Sequence, residues 1–295
     1  MRAIILAAGQ GRRLEKKFNK PKCLITLPTG ETILDRICRI LKDNKIKEIF
    51  IVTGYKNKLI DGHKPNNTKT FFFPKFANSN NLQSLLSVKK IIKGELLCLF
   101  ADIIFDKEII KQLIQKKNKD ISIAVIRKKI LKDTMRVKIK NKTISEIGNQ
   151  VSVAKADGNF IGIAKFSKKG SKILKKYLTQ NKNNFDDYYT EVFNLIINDS
   201  TAKIHYLDIK KKFWKEVDTI KDFNILPCNH YEIQETPPTT ETQSTTETPT
   251  TLECPDISNL NENNSLLLQT FLTNNDNNIH YNCINESNIE NIRNS

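Results

Sequence analysis

The first 227 residues predict an α/β domain wound on both sides of a mostly parallel sheet, and three observations carry that expectation. Apolar runs of strand length alternate with segments whose apolar residues recur at helical spacing. The runs are almost continuously apolar, as in sheets covered on both faces. Gly9, Gly54 and Asp102 each stand just after such a run, at the carboxyl ends of strands, where open α/β sheets bind ligands.

Ala3–Leu6 is the first strand, and Thr32–Asn44 places Ile33, Ile37, Ile40 and Leu41 on one face of a helix. Glu48–Thr53 is the second strand, ending in Gly54-Tyr55, and Thr70–Phe73 is the third. Asn81–Ile92 reads as a helix with Leu82, Leu85, Leu86 and Ile92 available to the core. Leu96–Ala101 is a fourth strand, closed by Asp102; Ile109–Gln115 is helical and Ile121–Ile126 extended. From Met135 the rhythm changes. Arg136–Ile139 and Thr143–Ile147 form a hairpin around Asn141, and Gly162–Phe166 is a strand. Ser171–Leu178 and Tyr188–Ile197 are amphipathic helices, Ile204–Asp208 and Trp214–Val217 short strands, and Ile220–Phe223 is helical.

Composition divides the chain of 295 residues near Pro227. Residues 1–227 hold 47 Lys+Arg against 22 Asp+Glu, whereas residues 228–295 hold 1 against 10. The second part is rich in Thr, Pro and Asn and poor in apolar groups, too poor to offset ordering entropy. A disordered acidic tail is expected over 228–295, its one apolar patch being Leu266–Leu268 with Phe271 and Leu272. The basic body raises nucleic acid as a partner. Its lysines are scattered, however, with no basic stretch interleaved with aromatics and no helix-turn-helix or zinc pattern, so nucleic acid is not expected. Six cysteines without a C-x-x-C pair fit a reduced, cytoplasmic setting. The N-terminal apolar run is too short for a signal peptide and meets Arg12-Arg13 at once. No run approaches the roughly 20 apolar residues of a membrane span, so membrane insertion is not expected.

The most informative stretch follows the first strand. Leu6-Ala7-Ala8-Gly9-Gln10-Gly11-Arg12-Arg13, then Lys20-Pro21-Lys22, joins small residues to fixed positive charge. Glycines let backbone N–H groups approach an anion closely, and Arg12, Arg13 and Lys22 add cations at the same place. A strand, a glycine loop and converging cations make a polyphosphate site. The pattern is neither Gly-x-Gly-x-x-Gly nor a P-loop, since no Gly-Lys-Ser/Thr is present.

Leu-Ala-Ala-Gly-x-Gly-x-Arg followed by Pro-Lys resembles the signature of the nucleotidyltransferases that make activated sugars and CDP-alcohols. Asn80-Asn81-x-x-Ser84-Leu85, Phe100-Ala101-Asp102, Glu146-Ile147-Gly148, Ala156-Asp157-Gly158-Asn159-Phe160-Ile161-Gly162 and Trp214-Lys215-Glu216-Val217-Asp218-Thr219 follow in order. Together they resemble the choline-phosphate and phosphonate cytidylyltransferases, over about residues 1–226. The resemblance implies a Rossmann-like nucleotidyltransferase fold and Mg²⁺-dependent transfer of CMP from CTP to a small phosphonate or phosphate monoester. The acceptors it implies are 2-aminoethylphosphonate, phosphocholine or phosphoethanolamine.

The implied roles fall on particular residues. Leu6, Ala7, Ala8, Gly9 and Gly11 would wrap the nucleotide, with Asn80, Asn81 and Ser84 at the base. Arg13 and Lys22 would stabilise negative charge at the α-phosphate and the acceptor. Asp102 and Asp218, each after a strand, would bind Mg²⁺, which favours one or two carboxylates plus phosphate oxygens and water. The region beyond Met135 would supply the acceptor face. Asp157, Asp187 and Glu191 are candidates for a cationic acceptor end, and Tyr188, Tyr189 and Trp214 for an aromatic box, unless they pack in the core or face solvent. Asn149 stands where relatives carry Lys, so the acceptor phosphate is held differently or turnover is weak. Three alternatives remain at this point: a sugar-1-phosphate nucleotidyltransferase using UTP or dTTP, a non-catalytic nucleotide-binding regulatory subunit, and a nucleic-acid binder. Whether the chain forms a homodimer is open.

Overall fold

Burial on both sides of the central strands decides the architecture. β1 (Arg2–Ala7), β2 (Glu48–Thr53), β3 (Thr68–Phe72) and β4 (Leu96–Phe100) pair in parallel in the order β3-β2-β1-β4. Successive strand residues point to opposite faces. Ile4 and Leu6 enter one apolar cluster with Val52 and Cys98, while Ala3 and Ile5 are equally buried on the other side. Both faces are therefore covered, as in a doubly wound fold. The structure, a computed structural model, describes residues 1–127 and 130–224. The expected tail, its apolar patch, the boundary at 227 and Cys228, Cys254 and Cys283 lie outside the described residues.

Beyond β4 the sheet becomes mixed. β9 (Gly158–Phe166) runs antiparallel both to β4 and to β6 (Ile121–Ile126), and β10 (Ile204–Asp208) pairs with β6 in parallel. With β7 (Arg136–Lys140) and β8 (Thr143–Gly148), the nine-stranded order is β3-β2-β1-β4-β9-β6-β10-β8-β7. An apolar run carries no information about strand direction, so the antiparallel course of β9 was not legible. A separate ribbon joins β5 (Ile103–Phe105) to β11 (Trp214–Glu216).

The helices are α1 (Arg12–Phe18), α2 (Ile33–Asp43), α3 (Asn57–His63), α4 (Asn81–Ser87), α5 (Glu108–Gln115), α6 (Lys168–Gln180), α7 (Glu191–Asn198) and α8 (Ile220–Asn224). α2 opens with a capping box between Thr32 and Asp35. It buries Ile33, Leu34, Ile37, Ile40 and Leu41, each worth about 1.5–3 kcal/mol. α1 and α3 bury one side chain each, Leu14 and Ile60, and so lack the periodicity that would have announced them. α4 stops at Ser87 rather than Ile92; the Ser87 hydroxyl donates to the Ser84 carbonyl at 2.7 Å, a local bond that competes with helix continuation.

Candidate active site

β1 ends at Ala7 and the chain turns through Gly9 and Gly11 into α1. Gly11 has φ +60°, and a Cβ there would fall 2.7 Å from Lys22 Cγ. The bare α-carbon admits the stem of Lys22, so the loop and the lysine beyond α1 form one construction. Gly9 differs: a Cβ there would meet no heavy atom within 4 Å, and its absence leaves open volume instead. Gly54 also closes a strand end but does not line the cleft. A Cβ on it would lie 2.6 Å from the Ala8 carbonyl oxygen and 2.7 Å from Phe76 Cβ, so this glycine serves close packing.

Lys22 is where the site converges. Its Nζ lies 3.3 Å from Asp102 Oδ2 and also pairs with Asp218 Oδ1, while Arg13 pairs with Asp218 Oδ2. The β5–β11 ribbon brings the two aspartates together. Glu216 sits opposite Ile103, and the Val217 N–H donates to the Asp102 carbonyl at 2.8 Å. Burial works against the Lys22 ammonium, but Asp102 and Asp218 outweigh it and hold its pKa above the ordinary value. Glu216 lines the same floor, and burial, together with Asp102 and Asp218, pushes its carboxyl up to about 8. The sequence reading gave Glu216 no role, yet the signal was there: Glu216 and Asp218 flank buried Val217 at the spacing that shares a strand face.

The donor set fits a divalent cation. Carboxylate oxygens of Asp102 and Asp218 reach one cation, the Lys22 ammonium, and oxygen donors suit a hard ion. Among the described residues no group of three or more His, Cys, Asp or Glu side chains could hold a metal. A metal here would draw its other ligands from phosphate and water.

Around this floor lies a cleft of about 350 Å³. Leu6, Ala7, Ala8, Gly9 and Gly11 line one part, Asn80, Asn81 and Ser84 another, and Arg13, Lys22, Asp102 and Asp218 the floor. Arg12 is not among the lining residues; its Nε donates to Gln10 Oε1 at 3.1 Å. The Asn80 carboxamide is engaged at both ends, accepting from the Asn81 N–H at 3.0 Å and donating to the Asp186 carbonyl at 3.3 Å. Asn81 Oδ1 accepts from the Tyr189 N–H at 2.8 Å, and the Ser84 hydroxyl donates to the Asn81 carbonyl at 2.9 Å. This cluster therefore pins the segment around 186–189 to the start of α4.

Of the aromatic candidates, Tyr188 lines the cleft. Tyr189 is fully buried among Phe100, Phe160 and Phe193, and Trp214 donates its Nε1–H to the Ile161 carbonyl at 3.0 Å. Asp157 accepts from the Ile139 N–H at 2.7 Å, and Asp187 and Glu191 accept from the side chains of Asn184 and Asn194, each at 2.9 Å. None of these three acids lines the cleft. Asn149 does, together with Asp133, Thr134 and Met135, which the sequence reading had not singled out.

Cys23, Cys38 and Cys98 are free and buried, and burial pushes each thiol up to about 12. Among the described residues no helix is long and apolar enough to cross a membrane.

Comparison with known proteins agrees with this geometry. The chain is similar to CTP:phosphoglutamine cytidylyltransferase of Campylobacter jejuni, 27% identical over 76% of this chain and 98% of that protein. It is 36% identical to the choline-phosphate cytidylyltransferase of Streptococcus pneumoniae over 30% of this chain and 40% of that one. In fold it is similar to the CTP:phosphocholine cytidylyltransferase structure from S. pneumoniae, with a TM-score of 0.63 and 19% identity over 76% of this chain and 96% of that one. The inositol-1-phosphate CTP transferase of T. maritima gives 0.64 and 18% over 79% and 94%. A sequence model of the MobA-like NTP transferase domain matches residues 3–169. With its glycine loop, paired cations and strand-end carboxylates in one cleft, the chain belongs to the family of the MobA-like NTP transferase domain, as a nucleotidyltransferase akin to the cytidylyltransferases.

Proposed function

We propose that this enzyme transfers CMP from CTP to a small phosphonate or phosphate monoester, with Mg²⁺, and releases pyrophosphate. The observation that carries the reading is the Lys22–Asp102–Asp218–Arg13 group at the floor of a glycine-walled cleft. Similarity to a relative named for acting on CTP and phosphoglutamine supports the nucleotide and the phosphorylated class of acceptor. 2-Aminoethylphosphonate, phosphocholine and phosphoethanolamine are the acceptors proposed.

In this reading an acceptor phosphoryl oxygen attacks the α-phosphorus, a new P–O bond forms, and the bond to the β-phosphate breaks as pyrophosphate leaves. No side-chain nucleophile is needed. Leu6–Gly11 wraps the nucleotide, and Asn80–Ser84 borders the base. Lys22, held charged by its two carboxylate partners, and Arg13 stabilise charge that builds on the phosphates. Asp102 and Asp218 hold Mg²⁺, which when bound neutralises phosphate charge.

Incubation with CTP, Mg²⁺ and each acceptor, with pyrophosphate as readout, tests the reading. A second reading is sugar-1-phosphate nucleotidyl transfer, because the Leu6–Gly11 loop with Arg13 and Lys22 would hold the phosphates of UTP or dTTP as well as those of CTP. Pyrophosphate release with UTP or dTTP and a sugar 1-phosphate, and none with CTP, would select it.

A further inference from the structure

The strand order puts Asp102 at a divide. β4, which it follows, lies between β1 with the glycine loop and β9. On the β9 side the cleft is walled by the segment before β7, with Asp133, Thr134 and Met135, and by Asn149 after β8.

Both segments hang on one side chain. Arg136 is 7% exposed and donates to four main-chain carbonyls, those of Leu131 at 3.2 Å, Lys132, Asn149 and Val151. It makes no ion pair with a described carboxylate. A buried cation is tolerated only when its donors are used, and here they are spent on joining the 131–132 stretch to the 149–151 turn. Fully buried Asn159 reinforces the join, its Oδ1 accepting from the Leu131 N–H at 3.0 Å and the Thr134 hydroxyl at 3.1 Å.

The charge on this wall differs from that of the floor. Arg13, Lys22, Asp102, Glu216 and Asp218 engage one another. Asp133 is the remaining charged side chain among the described residues lining the cleft; it is exposed, and no described residue pairs with it. Tyr188 lines the same cleft and offers an aromatic face.

We propose that Asp133 is the specificity-determining residue of the acceptor subsite, pairing with an amine or quaternary ammonium on the acceptor, and that Arg136 is its positioning residue. The inference rests on the transferase reading above and adds the residue that selects among acceptors. A terminal cation is favoured there, and a terminal carboxylate repelled.

The test is steady-state pyrophosphate release by the full chain at saturating CTP and Mg²⁺. The acceptors are phosphoethanolamine, propyl phosphate, in which a methyl replaces the ammonium, and 3-phosphonopropionate, which ends in a carboxylate. Wild type is expected to prefer phosphoethanolamine over propyl phosphate by roughly tenfold or more in kcat/KM, the scale of one charge pairing. Asp133→Asn should bring that ratio near one with the KM for CTP unchanged, and Asp133→Lys should favour 3-phosphonopropionate. Arg136→Lys should raise the acceptor KM while leaving the KM for CTP in place; a general loss of both would overturn the positioning role. If Arg136→Lys does not fold, Arg136→Gln gives the same readout, and the Asp133 variants decide the selecting role alone. Turnover by wild type without the cation preference, or a preference that survives Asp133→Asn, overturns this inference and leaves the transferase reading standing. No turnover with these three acceptors overturns this inference, and the transferase reading falls with it only if phosphocholine and 2-aminoethylphosphonate also give no release.

Discussion

The stem of Lys22 lies directly over Gly11: a Cβ on the glycine would stand 2.7 Å from Lys22 Cγ and 2.9 Å from Cε. The position also requires φ +60°, which costs a side-chain-bearing residue about 1–2 kcal/mol. Gly11→Ala is therefore expected to lower stability by about that amount. The displaced ammonium should reduce kcat by up to about 100-fold, the scale of an ångström misplacement at a reacting centre. Denaturant unfolding and steady-state rates on one preparation check both halves, and full activity in a folded variant would contradict the coupling of loop and lysine.

Asp102→Asn and Asp218→Asn should each reduce turnover by at least about 100-fold if they hold the metal, because charge stabilisation at the phosphates is lost. Stability should change little, since Lys22 keeps the other carboxylate as partner. Lys22→Met differs. It leaves Asp102, Asp218 and Glu216 facing one another without their ammonium, and removing one partner from a largely buried ionic group costs about 3–5 kcal/mol. Thermal melts of the three variants should separate them clearly.

Acid stability should respond to Asp35. Burial alone would raise its pKa, but hydrogen bonds from Thr32 and His63 with the His63 charge lower it below 3.8. A depressed carboxylate stabilises the fold fully above its unfolded pKa and loses that contribution as pH falls through the folded value. Asp35→Asn should therefore be less stable than wild type at pH 7, with the gap closing below about pH 4. Thr32→Ala, which removes the cap on α2, should cost about 1 kcal/mol. Chemical denaturation from pH 3 to 7 measures both, and a gap that fails to close below about pH 4 would contradict the assignment.

Gly54→Ala should destabilise the protein by about 1–3 kcal/mol, the range for overpacking, because backbone cannot yield as a side-chain tip can. The Ala8 carbonyl that its Cβ would strike also accepts the Tyr55 N–H at 3.1 Å. Thermal melting against wild type checks this, and an unchanged melt would show the loop free to shift.

Most strands and the floor of the cleft were legible because each is local or periodic. Ala3–Leu6 and Glu48–Thr53 announce themselves by apolar runs, and the Gly9–Lys22 stretch by its mixture of small and basic residues. α1 and α3 were not legible, since Leu14 and Ile60 are their single buried side chains. Nor was the wall beyond β9. Arg136 reads as an ordinary basic residue at a strand start until its guanidinium is found on four carbonyls. The Tyr189 and Trp214 side chains are likewise decided by long-range packing that no spacing encodes.

The central claim is tested most directly by pyrophosphate release from CTP with phosphocholine, phosphoethanolamine and 2-aminoethylphosphonate, with and without chelator. The account predicts Mg²⁺-dependent release with at least one of them, stopped by chelation and by Asp102→Asn. Release confined to UTP or dTTP with a sugar 1-phosphate, or CTP turnover that survives both chelation and Asp102→Asn, would contradict it.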